Sequence, residues 1–339
     1  MKFKKLLTTL ALGAAALAGA AEITLNGAGA TFPSPVYRVW TYNFSQLENG
    51  KILVNYQGLG SGAGINQIKA GTVDFAGTDN PLTAQELKEA GLFQFPMLTG
   101  AVVVIVNLPG VKDGEVKLDQ KTLADIFLGK IAAWNDPAIA ALNPEVKLPR
   151  LKITVVRRSD SSGTTFIFTN YLAKISAEWK DKVGCGPAVN WPVGIAGQKN
   201  PGVCNNVSRI PGAIGYTEYT YALEAKIATV KLKNQAGKFL AANTGTIAAS
   251  SLNADWKNAP GFYMVLTDQP GDNSWPITGV TYILIKAKQP DKAKCDALFA
   301  YFDWCFTTGA NAAEKLNYVG IPPEVIELIK AERAKAITR

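Results

Sequence analysis

The chain has 339 residues, a formal charge of +8, 47% hydrophobic residues and 18% charged residues, a balance that excludes a disordered polymer and fits one or two globular domains. It contains no histidine, which excludes Ser-His-Asp and Cys-His nucleophilic sites, histidine metal centres and histidine pH switches. Its Lys and Arg residues are scattered, with no basic run, so no nucleic-acid partner is expected.

The first twenty residues, MKFKKLLTTLALGAAALAGA, read as an export signal. Lys2, Lys4 and Lys5 form a basic start, Leu6 to Leu17 an apolar run, and Ala18-Gly19-Ala20 a small-residue cleavage site. No cysteine follows that run, so no lipid anchor is expected. No later segment reaches about 18 consecutive apolar residues, the length of a membrane span. An exported, periplasmic chain is expected, with a charge of +5 once the three signal lysines are removed.

EITLNGAG reads as a strand and turn, PSPVYRVWTYNFSQL as a helix with proline in its first turn, and KILVNYQG as a strand. SGAGINQIKAG reads as a loop and a short helix stopped by Gly71, and TVDFAGTD as another strand. In TAQELKEAG, Thr83 and Glu86 have the spacing of a capping box. Strand–helix alternation of this kind predicts an α/β fold with a mainly parallel sheet. GAVVVIVNLPG is an unbroken apolar run suited to a buried strand or a connection between domains. Then come a helix at DQKTLADIFLGK, a strand at ITVVRR, a helix at TFIFTNYLAKI and a looser stretch through Gly215. VTYILIKAK is a further apolar strand, and the last helices begin near Asp291 and Pro322. No internal repeat and no Pro/Ser-rich linker divides the chain.

Export permits disulfides. Cys185 and Cys204 flank a Gly/Pro-rich stretch and are expected to form one. Cys295 and Cys305 fall on the apolar face of one helix, CDALFAYFDWCF, roughly 15 Å apart at the helical rise. That is too far for a bridge, so both are expected as buried small apolar residues.

Three turns share one shape. GAGATFPSP puts Thr31 and Phe32 before a helix, GLGSGAGIN puts Ser61 there, and RRSDSSGTTF puts Ser162, Gly163 and Thr164 there. Each follows a strand, and ligands of open α/β sheets bind beyond the carboxyl ends of strands. A helix start has up to four N–H groups without intrahelical partners and about half a unit of positive dipole charge, so it attracts anions. Any one such turn alone is an ordinary cap; three in one chain point to an anion site. Arg158, nearest the third turn, suits the bidentate recognition of an oxyanion, and Asp160 could orient its guanidinium. Asp79, in VDFAGTDNPL, would repel an anion unless the anion carries a proton. Phosphate near neutrality keeps one and sulfate keeps none, so a carboxylate there would discriminate between them.

GAGATFPSPVY, VNYQGLGSGAG, TVDFAGTDNPLT, GLFQFP, LGKIAAWNDPAIAALNP, VVRRSDSSGTTFIFTNYLAK, NWPVG, PGAIGYTEY and WPIT resemble, in order, the exported phosphate-binding proteins of bacterial phosphate ABC importers. The resemblance spans nearly all of the chain after the export signal, and is thinnest between Lys226 and Phe262. It implies a two-lobed periplasmic-binding-protein fold of type II, each lobe a mainly parallel sheet flanked by helices, with a two-strand hinge. Residues 21–98 and 274–339 would form lobe I and residues 99–273 lobe II. It implies phosphate binding by Thr31, Phe32, Ser61, Asp79, Arg158, Ser162, Gly163 and Thr164, with Asp160 behind Arg158. It also implies a non-enzymatic monomer without cofactor or metal that delivers phosphate to a membrane permease. Two departures stand out: Gly62 replaces a serine frequent in the family, and the four cysteines are not a general family feature.

Two rival readings remain at this stage. GLGSGA, from Gly58 to Ala63, fits the dinucleotide fingerprint G-x-G-x-x-A, with Asp79 about twenty residues on, and would make the chain an enzyme. The same fold could instead take arsenate, sulfate, molybdate or a phosphonate, or serve adhesion or signalling.

Overall fold

A computed structural model describes residues 23–338, so the expected export signal lies outside the described residues. The first half alternates β1 (Ile23–Gly29), α1 (Ser34–Leu47), β2 (Ile52–Gly58), α2 (Ser61–Ala70), β3 (Phe75–Thr78) and α3 (Ala84–Ala90) before the long β4 (Leu92–Val106). The sequence dictates these elements locally. Helix α1 buries Val36, Tyr37, Trp40 and Phe44, the spacing of one helical face. Helix α2 stops at Gly71, whose φ of 72° is left-handed. The capping box of Thr83 and Glu86 opens α3 as expected.

β5 (Lys117–Leu118), α4 (Gln120–Phe127), α5 (Pro137–Leu142), β6 (Thr154–Arg158), α6 (Gly163–Ile175) and α7 (Ala177–Lys182) follow. The stretch that reads as loose up to Gly215 is in fact ordered as α7, β7 (Ile195–Gly197), α8 (Lys199–Arg209) and β8 (Ala213–Glu218). Its apolar signal is thin: α8 buries Val203, Cys204 and Val207 within an otherwise polar segment. Then come α9 (Tyr219–Glu224), β9 (Ala228–Thr229), β10 (Lys231–Lys233), β11 (Phe239–Leu240) and α10 (Thr244–Ser251). The chain returns through β12 (Thr278–Lys286) and ends with α11 (Lys292–Phe306), α12 (Ala310–Lys315), β13 (Val319–Gly320) and α13 (Pro323–Ala336).

The main sheet has the order β2-β1-β3-β12-β4-β8-β6-β7. β1 pairs in parallel with β2 and β3, and β6 pairs in parallel with β7 and β8. Each half is therefore parallel at its outer strands, while β12 and β4 run antiparallel through the middle. β4 ties the halves together. It pairs with β12 as far as Ala101 and with β8 from Val102 onward, and all fifteen of its residues are buried. The return passes beside it, where the Trp275 indole donates to the Val102 carbonyl at 3.1 Å. We propose that the lobes assigned above meet along these two segments.

The expected Cys185–Cys204 disulfide is not formed; all four cysteines are free thiols. The two side chains turn to separate partners. Cys204, buried on α8, points to the Thr217 hydroxyl at 3.6 Å, while Cys185, exposed beyond α7, points to the Phe166 carbonyl at 3.8 Å. Cys295 and Cys305 lie buried along α11, as their spacing predicts.

Candidate anion-binding site

The three hydroxyl-rich turns converge. Each follows the carboxyl end of a strand: β1 leads to α1, β2 to α2 and β6 to α6. Thr31, Phe32, Ser61, Asp79, Arg158, Ser162 and Thr164 are all at most 5% exposed, so the polar ones must find partners inside the protein or in a ligand.

The first turn is held from behind. The Tyr56 hydroxyl donates to the Ala30 carbonyl at 2.8 Å, and the Tyr221 hydroxyl donates to the Thr31 carbonyl at 2.7 Å. In a trans peptide the carbonyl and the following N–H point in opposite directions. Fixing those two carbonyls therefore turns the N–H groups of Thr31 and Phe32 away from the tyrosines. Tyr318 donates to the Phe32 carbonyl in the same manner, at 2.7 Å.

The second and third turns meet directly. Ser61 Oγ accepts from the N–H of Asp79 at 3.2 Å and from the N–H of Gly163 at 3.1 Å. With both lone pairs engaged, the hydroxyl can only donate, and the Asp79 carboxyl is one acceptor within its reach. The Gly62 N–H donates to the Ser161 carbonyl at 3.2 Å, so the two halves touch across the site. Ser162 caps α6 by accepting from the Thr165 N–H at 3.1 Å, which leaves its hydroxyl proton free. Thr31 Oγ1 and Thr164 Oγ1 are buried without a partner among the described residues.

Arg158 supplies the positive charge. Its Nε donates to Asp160 Oδ1 at 2.8 Å and its Nη2 to Asp160 Oδ2 at 2.5 Å. Burial alone would raise the Asp160 carboxyl; the bonds and charge of Arg158 and the Lys199 N–H outweigh it and hold it below its ordinary range. One flank of the guanidinium is thus spent on Asp160, and the Nη1–Nη2 end retains donors for an oxyanion.

Asp79 is the opposite case. Its Oδ1 accepts from the Thr281 hydroxyl at 2.8 Å. Burial pushes its carboxyl up to about 7, against the Thr281 bond, the Arg158 charge and the Ser61 bond, which pull it down. A carboxylate so poised accepts a proton readily. Together these groups can enclose a small tetrahedral oxyanion that brings a proton to Asp79.

The same geometry bears on the dinucleotide reading. GLGSGA does form a strand–turn–helix, with Gly60 at a φ of 100°. Its glycines, however, pack closely against the third turn. A side chain at Gly60 would come within 2.7 Å of Asp160 Oδ2, and one at Gly62 within 2.3 Å of Ser161 Oγ.

Known proteins share this chain's sequence and fold. A family model described as a PBP superfamily domain matches residues 14–307. The Phosphate-binding protein PstS of Haemophilus influenzae is 44% identical over 329 residues, covering 97% of each chain. The chain belongs to the PstS family of phosphate-binding proteins. Its PstS relatives include those of Pasteurella multocida, 47% identical over 311 residues (91% of this chain, 89% of that one), and Xylella fastidiosa, 46% identical over 310 residues (91% and 85%). Among solved structures it shares its fold with a high affinity periplasmic phosphate-binding protein bound with phosphate, at a TM-score of 0.72 and 21% identity over 94% of this chain and 99% of that one. A putative phosphate ABC transporter substrate-binding protein from Clostridium perfringens aligns with a TM-score of 0.64 and 18% identity over 88% and 100%.

Sequence reasoning missed residues that support this candidate site. Thr281 lies on β12, 202 positions from Asp79, and Tyr221 is 190 positions from Thr31. Neither sits in a turn, and an isolated Thr or Tyr in an apolar strand or short helix carries no local signal.

Proposed function

We propose that this chain is an exported substrate-binding protein that captures inorganic phosphate between two lobes. In this reading Thr31 and Phe32 donate from the start of α1, and Ser61 from the start of α2. Ser162, Gly163 and Thr164 donate from the start of α6, Arg158 supplies the charge, and Asp79 accepts the anion's proton. The observation that carries the reading is the meeting of a buried Arg158–Asp160 pair and a buried, readily protonated Asp79 at three helix starts. The names of its PstS relatives and the ligand of its structural neighbours support the same anion.

The protein is proposed to act as a periplasmic monomer that hands phosphate to the permease of an ABC importer, and to bind rather than catalyse. Arsenate, which is protonated like phosphate, is the second ligand the site would accept, because the proposed donors and Asp79 would distinguish the two only by size.

Calorimetric titration of the phosphate-stripped mature chain tests this. One-to-one binding of phosphate with no heat from sulfate above neutral pH is expected. A folded, ligand-free protein that does not bind phosphate would refute the reading.

A further inference from the structure

The start of α8 grips the Arg158–Asp160 pair from two sides. The Lys199 N–H donates to Asp160 Oδ1 at 3.0 Å, and Arg158 Nη1 donates to Asn200 Oδ1 at 3.1 Å. Neither α8 residue belongs to the site as drawn above. Three observations indicate that the contact serves the site and not merely the fold. First, Lys199, whose N–H reaches Asp160 and which leads directly into Asn200, holds a left-handed φ of 60°, a conformation unfavourable for a residue with a side chain. Second, Asn200 is wholly buried, and its Nδ2 has no acceptor among the described residues. A purely structural position would favour a side chain that leaves no donor unpaired. Third, the amide orientation is forced, because arginine only donates and the atom facing Nη1 must be the oxygen.

We propose that Asn200 is a positioning residue for Arg158 and sets the site's grip on the anion through it. A guanidinium has five N–H bonds. Asp160 takes one from Nε and one from Nη2, and Asn200 takes one from Nη1. One N–H on each terminal nitrogen is left, which is the pair that can engage an oxyanion bidentately. Asp160 alone would leave Nη1 without a fixed partner. Asn200 fixes the third nitrogen and so the direction of that remaining pair.

This inference rests on the phosphate reading, and its test is a double-mutant cycle. Phosphate affinity is measured by calorimetry for the wild type, Asn200→Ala, Arg158→Ala and the double variant, at raised concentrations for the weak binders. Asn200→Ala is expected to weaken binding about tenfold in the wild type, the order of one charge-assisted hydrogen bond. In the Arg158→Ala background it is expected to change affinity less than twofold, because nothing remains for Asn200 to position. An equal loss in both backgrounds, or no loss in the wild type, overturns the proposal. If Asn200→Ala does not fold, Asn200→Ser, which keeps a shorter acceptor, takes its place in the cycle with a smaller loss and the same coupling. A wild type that fails to bind phosphate overturns the phosphate reading itself, whereas a binding wild type with an uncoupled Asn200 overturns this inference alone.

Discussion

Asp79 and Arg158 are both at most 3% exposed, yet they are handled in opposite ways. Arg158 is paired with Asp160 and Asn200, whereas Asp79 faces burial with a hydroxyl and a shared serine, and burial raises its carboxyl to about 7. Under the proposed reading this difference predicts a pH-dependent selectivity. Above about 7 the carboxylate would accept from a protonated oxyanion and repel sulfate. As pH falls through about 7, Asp79 gains a proton and becomes a donor that sulfate can accept. The ratio of phosphate to sulfate affinity is therefore expected to fall on acidification, and Asp79→Asn, always a donor, should flatten it. Competition calorimetry on either side of neutrality checks this; a ratio in the wild type that stays constant with pH would count against Asp79 as the proton acceptor. At this scale the sequence was informative about Asp79 and Arg158, because an acid and an arginine beside hydroxyl-rich turns are unusual. It was silent about Thr281 and Asn200, whose roles depend on partners 202 and 42 positions away.

The elements decide how closely the donors approach. Gly163 opens α6 with ordinary helical geometry, so an alanine there would suit the backbone. Its Cβ, however, would lie 2.5 Å from Asp79 Oδ2 and 2.5 Å from Ser61 Oγ. Gly163→Ala is thus expected to lower phosphate affinity at least tenfold with little change in the unfolding midpoint, since the clash arises where the halves meet. A titration beside a thermal melt separates the two effects. Thr83→Ala should do the reverse. It removes the cap of α3 and is expected to cost about 1 kcal/mol of stability without altering affinity, which a denaturant titration would show. Caps of this kind were legible because they depend on residues three apart. β4 was legible only in its second half. Pro96 and Gly100 interrupt the apolar run LFQFPMLTGAVVVIV, and proline and glycine normally mark a strand's end. The strand survives because the pairing register with β12 shifts beside Pro96, between Thr281 and Tyr282. Such an irregularity lets a proline sit where a ladder donor is missing.

Across the whole molecule, the region where β4 meets β8 carries a second buried acid. Glu218 ends β8, accepts from the Thr220 N–H at 2.9 Å and hydroxyl at 3.1 Å, and is fully buried. Burial pushes its carboxyl up to about 8, against the Thr220 and Tyr318 bonds. Tyr318 and Tyr221, which hold the turn at Thr31 and Phe32, lie beside it. For both Glu218 and Asp79 the folded value lies above the ordinary one. Between the two values the folded chain keeps a proton that the unfolded chain releases, so their contribution to stability falls as pH rises. That window runs from about 4.5 to about 8 for Glu218 and from 3.8 to about 7 for Asp79, and the effect is flat above it. Asp160, held below its ordinary range, acts in the other direction on the acid side. Glu218→Gln is expected to make the ligand-free protein more stable above about 8 and to shallow the decline below it, measured by denaturant unfolding across pH. Saturating phosphate should raise the stability of every binding-competent variant, by about 2.7 kcal/mol at one hundred times its Kd.

The sequence by itself determined the helix starts, their donors, the α/β alternation and the family resemblance, because these depend on neighbours within a few residues or on motifs read in order. It did not determine that Cys185 and Cys204 stay apart, that β4 runs unbroken from one half to the other, or that Asn200 and Thr281 stand behind Arg158 and Asp79. Those were decided by the tertiary structure. Their physical basis is the direction of side chains brought together across long separations, and no local pattern encodes a direction in space.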